Sequence, residues 1–235
     1  MNEIYYLMSG NISPEKDTDK INLDIIKSSK KENPFILLFA TASDGTDWHQ
    51  KYKDNISTIF SRYNCHFEIL DNVELDFSDK IEKADIIYFL GGSPYKHTRL
   101  NKYKDLFKKV PIKVGTSAGA IYLGYQTFFL QKEDYLISIP NMLNFIDLHI
   151  LPHSETHKEE ITFNYLVNEI SVSVAKIYNQ ACIKIEKEDD IEKISFIMGD
   201  TLNSDEKIEI VLNNSKYFKI TKDQIIKPNI NLINV

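Results

Sequence analysis

Apolar runs alternate with longer amphipathic stretches over the first two-thirds of the chain. Glu3–Met8 (EIYYLM), Phe35–Ala40 (FILLFA), Cys65–Leu70, Asp85–Leu90 (DIIYFL) and Ile112–Gly115 read as five strands. Most are continuous in apolar residues rather than alternating, which predicts strands buried on both faces. Helical patterns lie between them. Ser13-Pro14 offers an N-cap with proline at the first helical position, and Ile21, Ile25 and Ile26 follow at helical spacing. Ile56, Ile59, Phe60 and Tyr63 share one face of a helix predicted over Asp47–Tyr63, and Pro94–Lys108 reads as another. Strands that alternate with helices predict an α/β fold, a three-layer sandwich around a mostly parallel central sheet.

The pattern changes past Leu151. A helix is predicted near Lys158–Ser171. Short strands follow at Ala181–Glu186, Lys193–Met198, Lys207–Leu212 and Lys216–Ile220. These are expected as antiparallel additions to the sheet edge. No internal repeat and no low-complexity linker interrupts the chain, so residues 1–235 are expected to form a single domain.

Composition narrows the partners. A 43% hydrophobic share over 235 residues fits a globular chain. The net charge of -6 and the lack of a basic face argue against nucleic acid. Cys65 and Cys182 form no CxxC and are expected as thiols of the core. No run approaches the roughly 18 apolar residues of a membrane span, and MNEIYYLMSGN lacks a signal-peptide pattern. A cytoplasmic protein is therefore expected, with no membrane partner; periodicity leaves a homodimer open.

Chemistry enters at Gly115-Thr116-Ser117-Ala118-Gly119, which satisfies G-x-S-x-G between a predicted strand and a predicted helix. A serine on such a turn sits in strained backbone, so the positions two before and two after must be small. The following helix aims N–H groups at the site, and that of Ala118 is a candidate oxyanion donor. Gly91-Gly92 ends the preceding strand and supplies a second candidate donor, since parallel strands place their C-terminal ends on one edge. The bland alternative, a glycine-rich turn with a packing serine, stays open. Of the six histidines, His153 follows an apolar run (FIDLHIL) at a strand exit, the position suited to a general base. His149 lies inside that run and His157 opens a helix. His153 and His157 share H-x-x-x-H spacing without a following glutamate, so no metal site is expected. No histidine occurs beyond position 157, which argues against the α/β-hydrolase order of serine, acid, then histidine.

Three segments together, YFLGGSPYKHTRL, VGTSAGA and LPHSE, resemble the peptidase E and cyanophycinase family of serine peptidases, whose fold is similar to class I glutamine amidotransferases. The likeness runs from about Glu3 to about Glu186. It implies Ser117 as nucleophile, His153 as general base, and an oxyanion hole built from the Gly92 and Ala118 amides. It also implies an acid between serine and histidine, where Glu133 and Asp134 stand as alternatives. No cofactor is implied, and small peptides are the implied substrate. Three positions depart from the family pattern. Gly-Gly-Ser-Pro replaces Gly-Gly-Asn-Thr. Tyr178-Asn179-Gln180-Ala181-Cys182 lacks the acid that often precedes the following strand. His157–Ser171 contains no arginine to bind a substrate's N-terminal aspartate, only Lys158 as a point charge. A non-catalytic binding domain and another serine hydrolase, such as an esterase, remain the competing readings.

Overall fold

In the computed structural model, residues 2–10, 18–43, 45, 49–71, 75–125, 127–131, 135–139, 141–154, 157–170, 173–188, 191–198, 207–212, 216–221 and 230–233 are described. The five apolar runs form strands within a residue of their expected bounds: β1 (Glu3–Met8), β2 (Phe35–Phe39), β3 (His66–Leu70), β4 (Ile86–Phe89) and β5 (Ile112–Thr116). All five are parallel, in the order β1-β5-β4-β2-β3.

Successive strand residues face opposite sides of a sheet, so each strand feeds two cores. Tyr6, Met8, Ile36, Leu38 and Tyr88 pack under α1 (Asp19–Ser28) and α2 (His49–Phe60), which contribute Ile21, Ile25, Ile56, Ile59 and Phe60. Leu7, Leu37, Phe39, Ile87 and Phe89 face the other way, toward α3 (Ser78–Lys83), α5 (Lys104–Lys109) and α6 (Ala118–Leu123). The sandwich therefore has the three layers that the continuous apolar strands require. Phe89 centres the second core, with its ring 5.3 Å from Phe39, 5.2 Å from Phe107 and 5.1 Å from Tyr122.

Several elements differ from expectation. The helix start expected at Ser13-Pro14 lies outside the described residues, and α1 begins at Asp19. Pro94–Lys108 is not one helix: α4 (Pro94–His97) passes into a 3-10 segment (Thr98–Tyr103) before α5. A 3-10 turn eclipses positions three apart, and this one buries Leu100 and Tyr103 at that spacing. The hairpin of β6 (Thr127–Gln131) and β7 (Tyr135–Ile139) was not expected; Glu133 and Asp134 fall between its strands, outside the described residues. Of FIDLHIL, only His149–Leu151 forms a strand, β8. The expected helix appears as α7 (His157–Tyr165), extended by one wider turn to Ile170.

The C-terminal strands divide between two sheets. β10 (Ala181–Glu188), β11 (Ile191–Met198) and β14 (Ile230–Ile233) extend the central sheet antiparallel beyond β1. β12 (Lys207–Leu212) and β13 (Lys216–Thr221) instead join β8 and β9 (Val174–Ile177) in a four-stranded sheet of their own. β10 covers the edge of β1, β11 that of β10 and β14 that of β11, while β12 pairs with β9. Cys182 is buried and Cys65 half-buried, both as free thiols. Among the described residues, no helix is long and apolar enough to cross a membrane.

Phe60 is buried and meets Tyr88 edge to face at 5.7 Å. Phe60→Ala is expected to cost about 3–5 kcal/mol, from lost burial and the cavity left behind. Chemical denaturation reads the loss; a cost under about 1 kcal/mol would contradict the packing of α2 on the sheet.

Candidate active site

The parallel strands bring their C-terminal ends to one edge of the sheet, where open α/β folds place their sites. Ser9 and Gly10 follow β1, Thr41 to Ser43 follow β2, Gly91 and Gly92 follow β4, and Ser117 follows β5. Ser117 sits between strand and helix at φ 52, ψ -112, a left-handed conformation rare for a residue with a side chain. Its N–H donates to the Met8 carbonyl at 2.9 Å, while its carbonyl accepts from Ala120 and Ile121. The flanking glycines are steric necessities. A Cβ on Gly115 would lie 2.4 Å from the Gly119 carbonyl oxygen, and one on Gly119 would lie 2.0 Å from that of Phe89. The small residues of G-x-S-x-G thus let α6 fold back tightly against β4 and β5.

His153 leaves β8 and reaches the same edge. Its Nε2 lies 2.8 Å from Ser117 Oγ, and both residues are partly exposed. The backbone holds it closely: φ is 55, and its N–H donates to Ser9 Oγ at 2.7 Å. A Cβ on Gly10 would approach its Cε1 to 2.3 Å, so the exit of β1 is cut to seat the imidazole. On the other side, His153 Nδ1 meets Asn179 Oδ1 at 3.0 Å. An amide oxygen only accepts, so Nδ1 carries the hydrogen and Nε2 presents its lone pair to the Ser117 hydroxyl.

The structure therefore brings together Ser117 and His153, two of the residues singled out in the sequence. It adds Ser9, Gly10 and Asn179, which sequence reasoning did not assign. Asn179 had a signal: it stands in the segment where the resembling family often has an acid. Ser9-Gly10 had a weaker one, a small pair directly after a buried strand. Glu133 and Asp134 lie outside the described residues. His149 is buried against Tyr125, with ring centroids 5.3 Å apart, and is not part of the pair.

The Gly91-Gly92 turn runs beside the serine. A Cβ on Gly91 would sit 3.4 Å from Ser117 Cβ. The Gly91 N–H donates to the Tyr52 hydroxyl at 3.0 Å, and burial pushes the pKa of that hydroxyl up to about 12. Gly92 has φ 138, and a Cβ there would meet the Ala42 carbonyl oxygen at 2.3 Å. His97 braces the turn from behind: it is buried, its Nε2–H donates to the Leu90 carbonyl at 2.8 Å, and Thr41 Oγ1 donates to its Nδ1 at 2.9 Å. The ring stacks on Tyr122 at 5.2 Å. Ala118, the other candidate donor, is the first residue of α6, whose initial N–H groups have no partner within the helix. Among the described residues, no three His, Cys, Asp or Glu side chains cluster as metal ligands would.

Known proteins bear on this geometry. The family model of Peptidase family S51 matches residues 5–193. No curated protein sequence matches the chain. Among solved structures, a peptidase from an acI-B1 Actinobacterium is similar with a TM-score of 0.70 and 16% identity, over 94% of this chain and 95% of that one. A putative peptidase E protein from Listeria monocytogenes EGD-e is similar with a TM-score of 0.59 and 20% identity, over 84% and 99%. At these identities the likeness is one of fold.

Burial drives the pKa of His97 from its ordinary 6.5 down to about 4. Between those values the unfolded chain binds the proton and the folded one does not, so acid favours unfolding. The contribution is complete above pH 6.5 and is lost as pH falls toward 4, by about 3 kcal/mol. His97→Gln, whose amide can still donate to Leu90, should flatten the stability profile over that window. An unchanged slope in denaturation measured from pH 7 to 4 would remove His97 from the acid response.

Proposed function

The chain belongs to peptidase family S51, and we propose that it is a serine peptidase that hydrolyses small peptides, dipeptides foremost, through an acyl-enzyme on Ser117. The observation that carries the reading is the 2.8 Å contact between Ser117 Oγ and His153 Nε2, on a strained and partly exposed turn. In this reading Ser117 Oγ attacks the scissile carbonyl carbon while its proton passes to His153 Nε2. The carbonyl oxygen becomes an oxyanion and accepts N–H hydrogens from Ala118 and Gly92. Collapse of the tetrahedral species breaks the C–N bond, and the leaving amine takes the proton from His153. Water then gives its proton to the same nitrogen and attacks the ester, releasing the acid and restoring Ser117. No step is assigned to Glu133 or Asp134.

The strained backbone supports this reading over a packing serine. A serine needed only for packing gains nothing from a left-handed turn that forces glycine at two neighbouring positions. The absence of arginine from His157–Ser171 leaves the preferred first residue of the peptide to experiment.

Wild type and Ser117→Ala are to be compared on a dipeptide library. Serine-dependent hydrolysis is expected, falling at least about 1,000-fold in the variant with the circular dichroism spectrum unchanged. A serine-reactive phosphonate should label Ser117 in the folded wild type. Turnover that survives the substitution would overturn the mechanism. Absent turnover together with an unlabelled serine would favour the binding-domain reading, and esters outpacing every peptide would favour an esterase.

A further inference from the structure

We propose that the first turn of α2 sets the Gly91-Gly92 turn beside Ser117, with Tyr52 and His49 as positioning residues for the N–H of Gly92. The inference rests on the serine-peptidase reading for its catalytic meaning, although the contacts themselves do not.

Helix geometry puts the two side chains on one face, since positions three apart are neighbours. His49 and Tyr52 open α2 and reach the exits of β2 and β4. β4 ends at Phe89, and the Leu90 N–H still finds the Phe39 carbonyl at 3.1 Å. The next N–H, that of Gly91, has left the ladder, and the Tyr52 hydroxyl accepts it at 3.0 Å. A Cβ on Gly91 would sit 3.3 Å from that hydroxyl and 3.4 Å from Ser117 Cβ, so phenol and serine lie against the same α-carbon. The peptide that Tyr52 holds is the one immediately before the proposed oxyanion donor.

The second contact is indirect. Ser43 is buried after β2, with its Oγ 2.7 Å from His49 Nδ1 and 3.0 Å from the Ala40 carbonyl oxygen. Gly92 rests on the peptide just before Ser43. A Cβ on Gly92 would meet the Ala42 carbonyl oxygen at 2.3 Å and the Ser43 nitrogen at 2.9 Å, and the Ser93 N–H donates to that same carbonyl at 3.0 Å. His49 is aimed in turn by Asp71 after β3, whose Oδ2 lies 3.4 Å from Nε2 and also takes the Lys53 ammonium. Lys53 foremost, with His49, holds the Asp71 carboxyl below its ordinary range. A carboxylate only accepts, so Nε2 carries a hydrogen and Nδ1 takes that of the Ser43 hydroxyl. When the ring gains a proton, Nδ1 donates to Ser43 Oγ and the hydroxyl turns to Ala40, so the link holds in both states. Tyr52 keeps its hydrogen near neutrality, because burial lifts the phenol to about 12. Asp44, Asp47 and Glu74, close by in the chain, lie outside the described residues. Gly92 has no side chain of its own to anchor it, and α2 supplies the anchors instead.

The test uses Tyr52→Phe, His49→Ala and His49→Asn, the last of which keeps an acceptor where Nδ1 stood. Two readouts are taken: kcat and KM on the best dipeptide, and the amide NMR resonances of protein labelled at glycine nitrogen. The chain has only 8 glycines, so Gly91 and Gly92 are readily assigned. Tyr52→Phe should shift both resonances and lower kcat by roughly 10- to 100-fold, with KM changed less than about threefold. His49→Ala should shift Gly92 and lower kcat about 10-fold, and His49→Asn should restore most of that loss. A Gly92 resonance unmoved in both Tyr52→Phe and His49→Ala would overturn the proposal. So would a loss confined to KM, which would place Tyr52 on the substrate, or a His49→Asn variant no better than His49→Ala. The resonances read the contacts even without turnover, so failure of the peptidase reading and failure of this inference are distinguishable.

Discussion

The left-handed turn at Ser117 is the constraint on which the rest of the candidate site depends. A serine with a side chain is held where glycine is ordinarily found, at a cost of order 1–3 kcal/mol. What keeps it there is not local. The Ser117 N–H is tied to β1 through Met8, and its carbonyl is capped by α6. Below the turn, Thr116 Oγ1 and the Tyr88 hydroxyl lie 2.8 Å apart, and that hydroxyl also donates to Met8 Sδ at 3.1 Å, which links three neighbouring strands. The strain is sustained by the most buried part of the sheet, so the serine cannot relax without disturbing β1, β4 and β5 together.

The same logic extends outward. His153 also has positive φ, and it is seated by a strand exit that has surrendered its own side chain at Gly10. The Gly91-Gly92 turn approaches Ser117 because Gly92 lies against the Ala42 carbonyl where no Cβ fits. Three glycine-dependent close approaches therefore converge on one volume. Each trades local backbone preference for position, and each is backed by buried groups: Met8 and Thr116 under the serine, Ser9 behind the histidine, His97 and Thr41 under the glycine turn.

This explains what the sequence made legible. Buried parallel strands announce themselves because both faces need apolar residues, and all five appear at their expected places. G-x-S-x-G is legible because its small positions are sterically forced by neighbours within a few residues. His153 is legible as the histidine at a strand exit. Asn179 is less so, because its contact with His153 comes from the register between β8 and β9, a long-range property that no local pattern encodes. The second sheet was missed for the same reason: β12 pairs with β9, while β10, β11 and β14 extend the central sheet, a division that no local pattern encodes. The 3-10 segment at Thr98–Tyr103 was hidden because buried residues three apart fit either kind of helix.

Charge is distributed unevenly over this frame. Lys113, fully buried in β5, reaches toward the opposite end of the sheet, where it pairs with Glu3 at the start of β1 at 2.7 Å. Lys184 pairs with Asp24 of α1 at 3.0 Å. The hydrogen bonds that touch Ser117, His153 and Gly91, in contrast, come from hydroxyls, an amide and backbone groups. Dipoles of this kind keep their geometry over a wide range of pH and salt, because none of them titrates near neutrality and none is an exposed ion pair to be screened. In the proposed mechanism a proton passes from Ser117 to His153, and among the described residues the side chains that hydrogen-bond that ring, Ser117 and Asn179, carry no charge. A frame rigid enough to hold Ser117 in a left-handed turn is also rigid enough to keep those dipoles aimed before the charges appear.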